Sequence, residues 1–422
     1  MKSNYKKLGK YIEVVNIRNK DLKVEKLLGV SIRKVLMPSI ANTVGTNMKT
    51  YKIIQRNQFA YGPVTSRNGD KISVALLEEY DEVIVSQAYT VFKVLDENVL
   101  NPEYLMMWFR RSEFDRYARF MSHGSARETF DWDEMLETEL PIPFIEKQNE
   151  IVKEYNTIVN RIKLNEKLNK KLEETAQAIY KHWFVDFEFP NKNGKPYKSS
   201  GGKMVFNAEL GKEIPEGWEV GTFEKVIDKF ISKRGKSKSL MNLNQFSLEF
   251  KFPVISAMNV KNGKIVKNDT IPYINIEDYT EWMNPTLDTD DVILTSEAPL
   301  GESYYIAKNS DIAISQRLYC LRTKKNVLSG WYLFLWLKLP LVQKELEERS
   351  SGTTVAGIKL SELKKVSIVI PNEEVERTFV FQSKFIGNTI EIYNKENQIL
   401  IQLKDLFLSK MSKVELEKEV EV

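Results

Sequence analysis

Two kinds of short polar loop carry the side chains in this chain best suited to chemistry with another molecule. One reads Thr65-Ser66-Arg67-Asn68-Gly69-Asp70-Lys71 and returns later as Thr295-Ser296-Glu297-Ala298-Pro299-Leu300-Gly301-Glu302-Ser303. The other reads Ser122-His123-Gly124-Ser125-Ala126-Arg127-Glu128-Thr129 and returns as Ser351-Gly352-Thr353-Thr354-Val355-Ala356-Gly357. Forked and hydroxyl side chains of these types match the donors and acceptors that base pairs present in the major groove; with Gly they also make ordinary solvated turns. The candidates for base contact are Ser66, Arg67, Asn68, Lys71, His123, Ser125, Arg127 and Thr129, then Ser296, Glu297, Ser303, Arg317, Thr353 and Thr354. Gln87 and Gln316 each follow a Ser in an expected strand, and suit paired amide contact with adenine or serve as buried amides that satisfy a loop. Phosphate contact needs only positive charge and reach. Arg110, Arg111, Arg116 and Arg119 cluster in the first half, and Lys229, Lys233, Arg234, Lys236 and Lys238 in the second. Such runs are usually solvated faces, so they count only beside the loops.

Catalytic patterns are harder to find. Gly235-Lys236-Ser237 ends like a phosphate-binding loop, but the Gly required five positions earlier is Phe230. Asn101-Pro102-Glu103-Tyr104 differs by one residue from the Asn-Pro-Pro-Tyr of adenine methyltransferases, yet its later counterpart keeps only Tyr332. No convincing glycine-rich loop follows a strand to hold S-adenosylmethionine, and a helix start with Pro in its first turn is the plainer reading. Two histidines and one cysteine are too few for a convincing metal cluster or thiol nucleophile, so no metal site is expected. His182, beside Trp183, reads as helix-end packing, and no acidic pair recurs at a spacing that recommends acid–base work. The chain reads as a recogniser rather than a catalyst.

The frame that holds these loops is duplicated. Tyr104-Leu105-Met106-Met107-Trp108 lies over Tyr332-Leu333-Phe334-Leu335-Trp336 at a constant spacing of 228 residues. Gly124 falls on Gly352, Phe130 on Ile358, Met135 on Leu363, Pro143 on Pro371, Asn169 on Asn397 and Leu172 on Leu400; Ser86-Gln87 meets Ser315-Gln316 after one insertion. Two copies are too few for a solenoid. At 422 residues, with 42% hydrophobic and 28% charged, the chain suits two globular domains. The longest apolar run, Trp331 to Leu337, is too short to span a bilayer. Cys320 is the single cysteine and no apolar leader follows Met1, so a reducing cytoplasm is expected. Net charge is only +4, so a DNA site must come from local concentration of cations.

From Asn149 to Phe184 there is no Pro or Gly, and apolar residues recur in gaps of four and three. A long helix with a heptad seam is predicted, carrying Ile151, Ile158, Ile162, Asn169, Leu172 and Ile179. A second, from Arg377 to Ser412, carries Phe379, Ile386, Ile390, Asn397, Leu400 and Phe407 in matching register. Each seam needs a partner: either its own domain or the other helix, and equal length and register favour the second. Chain order makes such a pair antiparallel, and a buried Asn would fix its register. The expected class is α+β, with two mixed α/β domains separated by two long helices in an antiparallel coiled coil. The boundaries are 1–148 and 218–376 for the domains, 149–189 and 377–412 for the helices, 190–217 for a breaker-rich linker and 413–422 for a polar tail. Trp108 and Trp336 are expected in the core.

The sequence resembles the specificity subunit of type I restriction–modification systems over nearly its whole length. The likeness is strongest in Leu140-Pro141-Ile142-Pro143 with Glu146-Lys147-Gln148, and in the stretch from Leu172-Glu173-Glu174-Thr175-Ala176-Gln177 to Trp183-Phe184-Val185-Asp186-Phe187-Glu188. Gly194-Lys195-Pro196-Tyr197 and Ile214-Pro215-Glu216-Gly217-Trp218 continue it, while Val369-Ile370-Pro371 and Glu376 match more weakly. The resemblance implies two target recognition domains, each reading one half of an asymmetric bipartite site in double-stranded DNA. It implies two adenine methyltransferase subunits docked on this scaffold, and restriction subunits beyond them. S-adenosylmethionine, ATP and Mg would sit on those partners and no cofactor on this chain. Two other classes stay open: a stand-alone methyltransferase, and a structural adaptor that binds proteins rather than DNA.

Overall fold

The computed structural model describes residues 5–39, 45–66, 71–124, 127–235, 252–267, 270–308, 311–352 and 355–413. The chain divides into two compact units, Met1–Leu164 with Asn397–Val422, and Asn165–Glu396. Each long helix therefore contributes one part to each unit.

In the first unit a four-stranded antiparallel sheet runs in the order Ile12–Val15, Thr90–Val94, Gln58–Gly62, Ser73–Leu76. In the second, the order is Ile227–Ser232, Leu318–Thr323, Val292–Thr295, Ser303–Tyr305, again antiparallel throughout. Taken in chain order within each sheet, both read first, fourth, second, third. The duplication in sequence is thus a duplication of topology. Val91, Phe92 and Val94 on one side and Leu318, Cys320 and Leu321 on the other are buried, as expected of central strands covered on both faces.

Against each sheet lies the helix that carries the repeated tryptophan. Asn101 caps Pro102–Arg110, its Oδ1 accepting the backbone N–H of Glu103 at 2.7 Å and of Tyr104 at 3.2 Å. Pro102 occupies the first turn, where its missing N–H costs nothing. The Asn-Pro-Glu-Tyr stretch is therefore a helix start, and the Tyr104 hydroxyl is spent on the Pro141 carbonyl at 3.0 Å. Ser329 caps Gly330–Leu337 in the same way, accepting from Tyr332 N–H at 3.1 Å. Trp108 and Trp336 are both buried.

The first long helix is Ile145–Phe184 and the second Glu373–Lys410. Within the first unit, Ile151, Val152 and Tyr155 share a cluster with Leu408 and Met411, and the Tyr155 and Phe407 rings lie 6.3 Å apart. Within the second, Asn165 Nδ2 donates to Glu396 at 3.0 Å, Asn169 Nδ2 to Asn394 Oδ1 at 2.9 Å, and Phe379 packs 5.7 Å from both Tyr180 and Trp183. Asn169 thus meets Asn394 rather than its repeat counterpart Asn397. Of the expected seam, Ile151, Asn169, Phe379 and Ile386 are buried, while Ile158, Ile162, Leu172, Ile179, Ile390, Asn397, Leu400 and Phe407 are half-buried.

Residues 190–217, expected as a bare linker, are more ordered than their breaker content implies. Met204–Asn207 pairs with Lys212–Pro215, and Phe189 stacks between Tyr197 at 4.5 Å and Trp218 at 5.0 Å. Three aromatic rings supply the apolar area that Gly and Pro lack.

Candidate nucleic-acid interface

The two loop kinds meet at their bases, and the same hydrogen bonds make the junction in both repeats. His123 and Thr129 exchange backbone bonds at 3.0 and 2.9 Å; Ser351 and Gly357 do so at 2.9 and 3.1 Å. Thr65 N–H donates to Glu128 O at 3.0 Å and Phe130 N–H to Pro63 O at 2.9 Å, which lashes the first loop to the second. In the other repeat Ile358 N–H donates to Ser296 O at 2.9 Å. Gly124 and Gly352 turn these loops with φ of +130° and +126°, and a Cβ on either would meet the carbonyl oxygen three residues on at 2.3 Å. Only Gly adopts that backbone without strain. Beneath them, the Tyr61 hydroxyl donates to Phe130 O and the Tyr319 hydroxyl to Ile358 O. Burial pushes the Tyr61 phenol far above its ordinary range, so it stays a donor at any physiological pH.

On this shared base the exposed side chains differ. Ser66, Lys71, His123 and Arg127 are exposed in the first repeat and Thr129 is half-buried. His123 Nε2 lies 3.8 Å from Glu134, and Arg119 is ion-paired with Glu128. In the second repeat Glu297 holds Arg317 at 2.9 Å and Arg234 at 3.7 Å, with both cations about half exposed. One acidic side chain thus gathers two arginines from different elements beside the loop bases, and leaves their outer N–H groups able to donate to phosphate or a base edge. Gln87 and Gln316 lie in exposed turns just after strands, rather than in them. Arg67, Asn68, Ser125, Thr353, Thr354, Lys236 and Lys238 lie outside the described residues.

Four expected contacts are corrected by burial. Ser296 and Ser303 are 2% and 3% exposed and belong to the sheet side of their loop, where they cannot meet a base. Lys233 is 2% exposed with its ammonium 6.0 Å from the Trp282 ring centre, so it is a packing residue rather than a phosphate contact. Arg111, 5% exposed, lies 4.1 Å over the Trp108 ring, and burial lowers its pKa from the usual guanidinium value. Arg110 keeps partial exposure and faces Glu78 at 3.5 Å. Sequence reasoning passed over Thr65 and Ser122, whose hydroxyls bond at 2.9 Å and clasp the two loops. The recurrence of Thr at the head of both first-kind loops was no guide, because Thr295 is buried in its strand and accepts the Glu302 N–H at 2.9 Å instead. Among the described residues, no group of three or more His, Cys, Asp or Glu could hold a metal ion, and no helix is long and apolar enough to cross a membrane.

A mixed α/β module with one strand order and one arrangement of loop bases occurs twice, which defines a class of duplicated-module protein. Comparison with known proteins gives that class a family. Residues 7–174 and 215–402 each match the model of the type I restriction modification DNA specificity domain. The chain belongs to this family, and is the specificity subunit of a type I restriction–modification system. It is 24% identical to the type I restriction enzyme HindI specificity subunit of Haemophilus influenzae, over 90% of each chain. It is 26% identical to the MjaIX specificity subunit of Methanocaldococcus jannaschii, over 73% of this chain and 68% of that one. In fold it is similar to the crystal structure of the type I S subunit from M. genitalium, with a TM-score of 0.58 over 97% of this chain and 95% of that one at 15% identity.

Proposed function

We propose that this subunit binds a bipartite, asymmetric DNA site, one half per recognition domain, and that its paired long helices fix the gap between the halves as an antiparallel coiled coil. The observation that carries this reading is the repeated loop base, in which the same bonds recur 228 residues apart beneath loop tips of different sequence, as from His123–Thr129 to Ser351–Gly357. A constant frame with variable tips suits two related readers of different sequences. The helical pairing is supported by contacts that ascend one long helix and descend the other within the second unit, from Asn165–Glu396 to Tyr180–Phe379.

Two methyltransferase subunits dock on this scaffold in the proposed complex, and restriction subunits join through them. S-adenosylmethionine, ATP and Mg belong to those partners, and this chain performs no bond-making step. Exposed apolar side chains on the second long helix favour such partners: Phe381 is 88% exposed, with Phe385 and Ile392 also open in the second unit, and Ile399, Leu403 and Leu406 in the first. Apolar side chains gathered at helical spacing mark contact surfaces more often than solvated ones. Titration of the full chain with duplex DNA at several salt concentrations tests the reading against a protein-binding adaptor. Log affinity should fall against log salt with a slope of about −0.9 per neutralised phosphate; an affinity indifferent to salt, or none for DNA, rejects it.

A further inference from the structure

The hairpin Leu28–Val30/Leu36–Pro38 ends in a turn closed by Lys34 N–H on Ser31 O at 2.8 Å. Lys34 takes a left-handed backbone, φ +61°, which swings its side chain inward while Ile32 and Arg33 remain exposed at the tip. The Lys34 ammonium is buried. It forms an ion pair with Asp115 at 2.7 Å and donates to Phe109 O. Asp115 also accepts the backbone N–H of Ile72 at 3.1 Å, where the chain leaves the Thr65–Lys71 loop. One carboxylate on the helix Ser112–Phe120 therefore fastens a hairpin tip and a recognition loop together.

The second repeat closes the same junction differently. At the position of Asp115 it carries Gln343, whose Nε2 donates to Leu337 O at 2.6 Å and to Gly301 O at 3.0 Å. Leu337 is the counterpart of Phe109, and Gly301 lies in the counterpart loop. A single amide thus closes the junction between helix end and loop, and a different hairpin, Val260–Lys261/Lys264–Ile265, is tied to that loop by its turn residue Asn262, whose N–H donates to Glu302 at 2.7 Å. In the first repeat the same junction is built from two charged side chains, one imported from a hairpin. Burying a lysine is unfavourable without an excellent partner, and a neutral amide does the closing at lower cost. In both repeats a hairpin turn is held beside the loop, but in the first it is held by a buried side-chain ion pair and carries an arginine outward. Burial lowers the Lys34 pKa from its ordinary value, Asp115 opposes that, and Lys71 and Arg110 lower it a little further.

We propose that the hairpin tip Ile32–Arg33 is a third DNA-contacting element of the first recognition domain, positioned by Lys34 and Asp115, with Arg33 donating to a phosphate or base edge of the same half-site as the Thr65–Lys71 loop. This rests on the DNA-binding reading above. Lys34 and Asp115 are positioning residues and do not touch DNA.

Selection of bound duplexes from a randomised library by the full chain tests it, with Arg33→Ala and Lys71→Ala as exposed substitutions. A double variant, Lys34→Ala with Asp115→Gln, rebuilds the closure of the second repeat and so keeps the fold while releasing the tip. Arg33→Ala and the double variant should each weaken binding about tenfold or relax base preference. The change should fall in the one half-site that Lys71→Ala also affects, and leave the other half intact. Wild-type affinity and preference in Arg33→Ala, or a change confined to the other half-site, overturns the inference while leaving the DNA reading in place. A wild-type chain that selects no DNA at all overturns both.

Discussion

Gln148 and Glu376 occupy equivalent positions at the start of the two long helices and accept the same bond. Gln148 Oε1 takes the N–H of Asn101 at 2.8 Å, and Glu376 Oε1 that of Ser329 at 2.9 Å. Gln148 further donates to Val99 O and Pro143 O, which a carboxylate cannot do. Burial raises the Glu376 pKa above its ordinary value, against the two bonds from Ser329 that lower it. A raised carboxyl pKa means that the folded state holds its proton longer than the unfolded state, so stability is lost as pH rises through the folded value. Glu376→Gln should therefore match the parent at acid pH and exceed it by about 1 kcal/mol at pH 8. Chemical denaturation at both pH values measures this, and a variant less stable at pH 8 contradicts it. Gly124→Ala and Gly352→Ala belong to the same scale. Each forces a Cβ against a carbonyl, at a cost of at least about 1 kcal/mol of local strain. Each should impair one half-site only, as read from the two halves of a selected DNA motif.

At the scale of elements, the helices were the most legible part of the sequence because a heptad pattern survives local noise. Ile145–Phe184 and Glu373–Lys410 begin four residues before the apolar periodicity suggested, since Glu, Lys and Gln suit a first turn as well as a loop. The apolar seam told which residues would be inward, but not that Phe381, Phe385 and Ile392 make a further, outward set on the same helix. An unbroken apolar pattern cannot distinguish a face covered by the chain from one left for a partner. Replacing Phe385 and Ile392 by Ser should leave the melting temperature unchanged within about 2 °C, because exposed positions contribute little to folding. It should abolish co-purification with the methyltransferase subunits; retained co-purification places their docking elsewhere. The loops were legible as loops, yet Ser296, Ser303, Lys233 and Arg111 were misjudged for one reason. Residue type announces what a side chain could bind, whereas burial depends on which strand or ring covers it.

For the whole molecule, the 228-residue repeat announced two modules, and both four-stranded sheets share one strand order. The hairpin at Leu28–Pro38 escaped notice because Lys34 and Asp115 are far apart in sequence and Gln343 stands where the repeat would call for an aspartate, so only the folded chain brings the ion pair together. If the helical pair sets the gap, inserting one heptad in each helix lengthens the spacer by about 10 Å at 1.5 Å per residue. The gap in the recognised DNA should then grow by about three base pairs, at roughly 34 Å per ten, with both half-sites unchanged. An unaltered gap would detach the spacing from the helices. The most direct test of the central claim is single-molecule sequencing of adenine methylation in cells carrying this subunit with its methyltransferase, compared with cells lacking the subunit. The expected result is a split motif with two different halves that disappears on deletion. Methylation that is unchanged by the deletion, or a motif with identical halves, would contradict a subunit that reads one sequence with each of its domains.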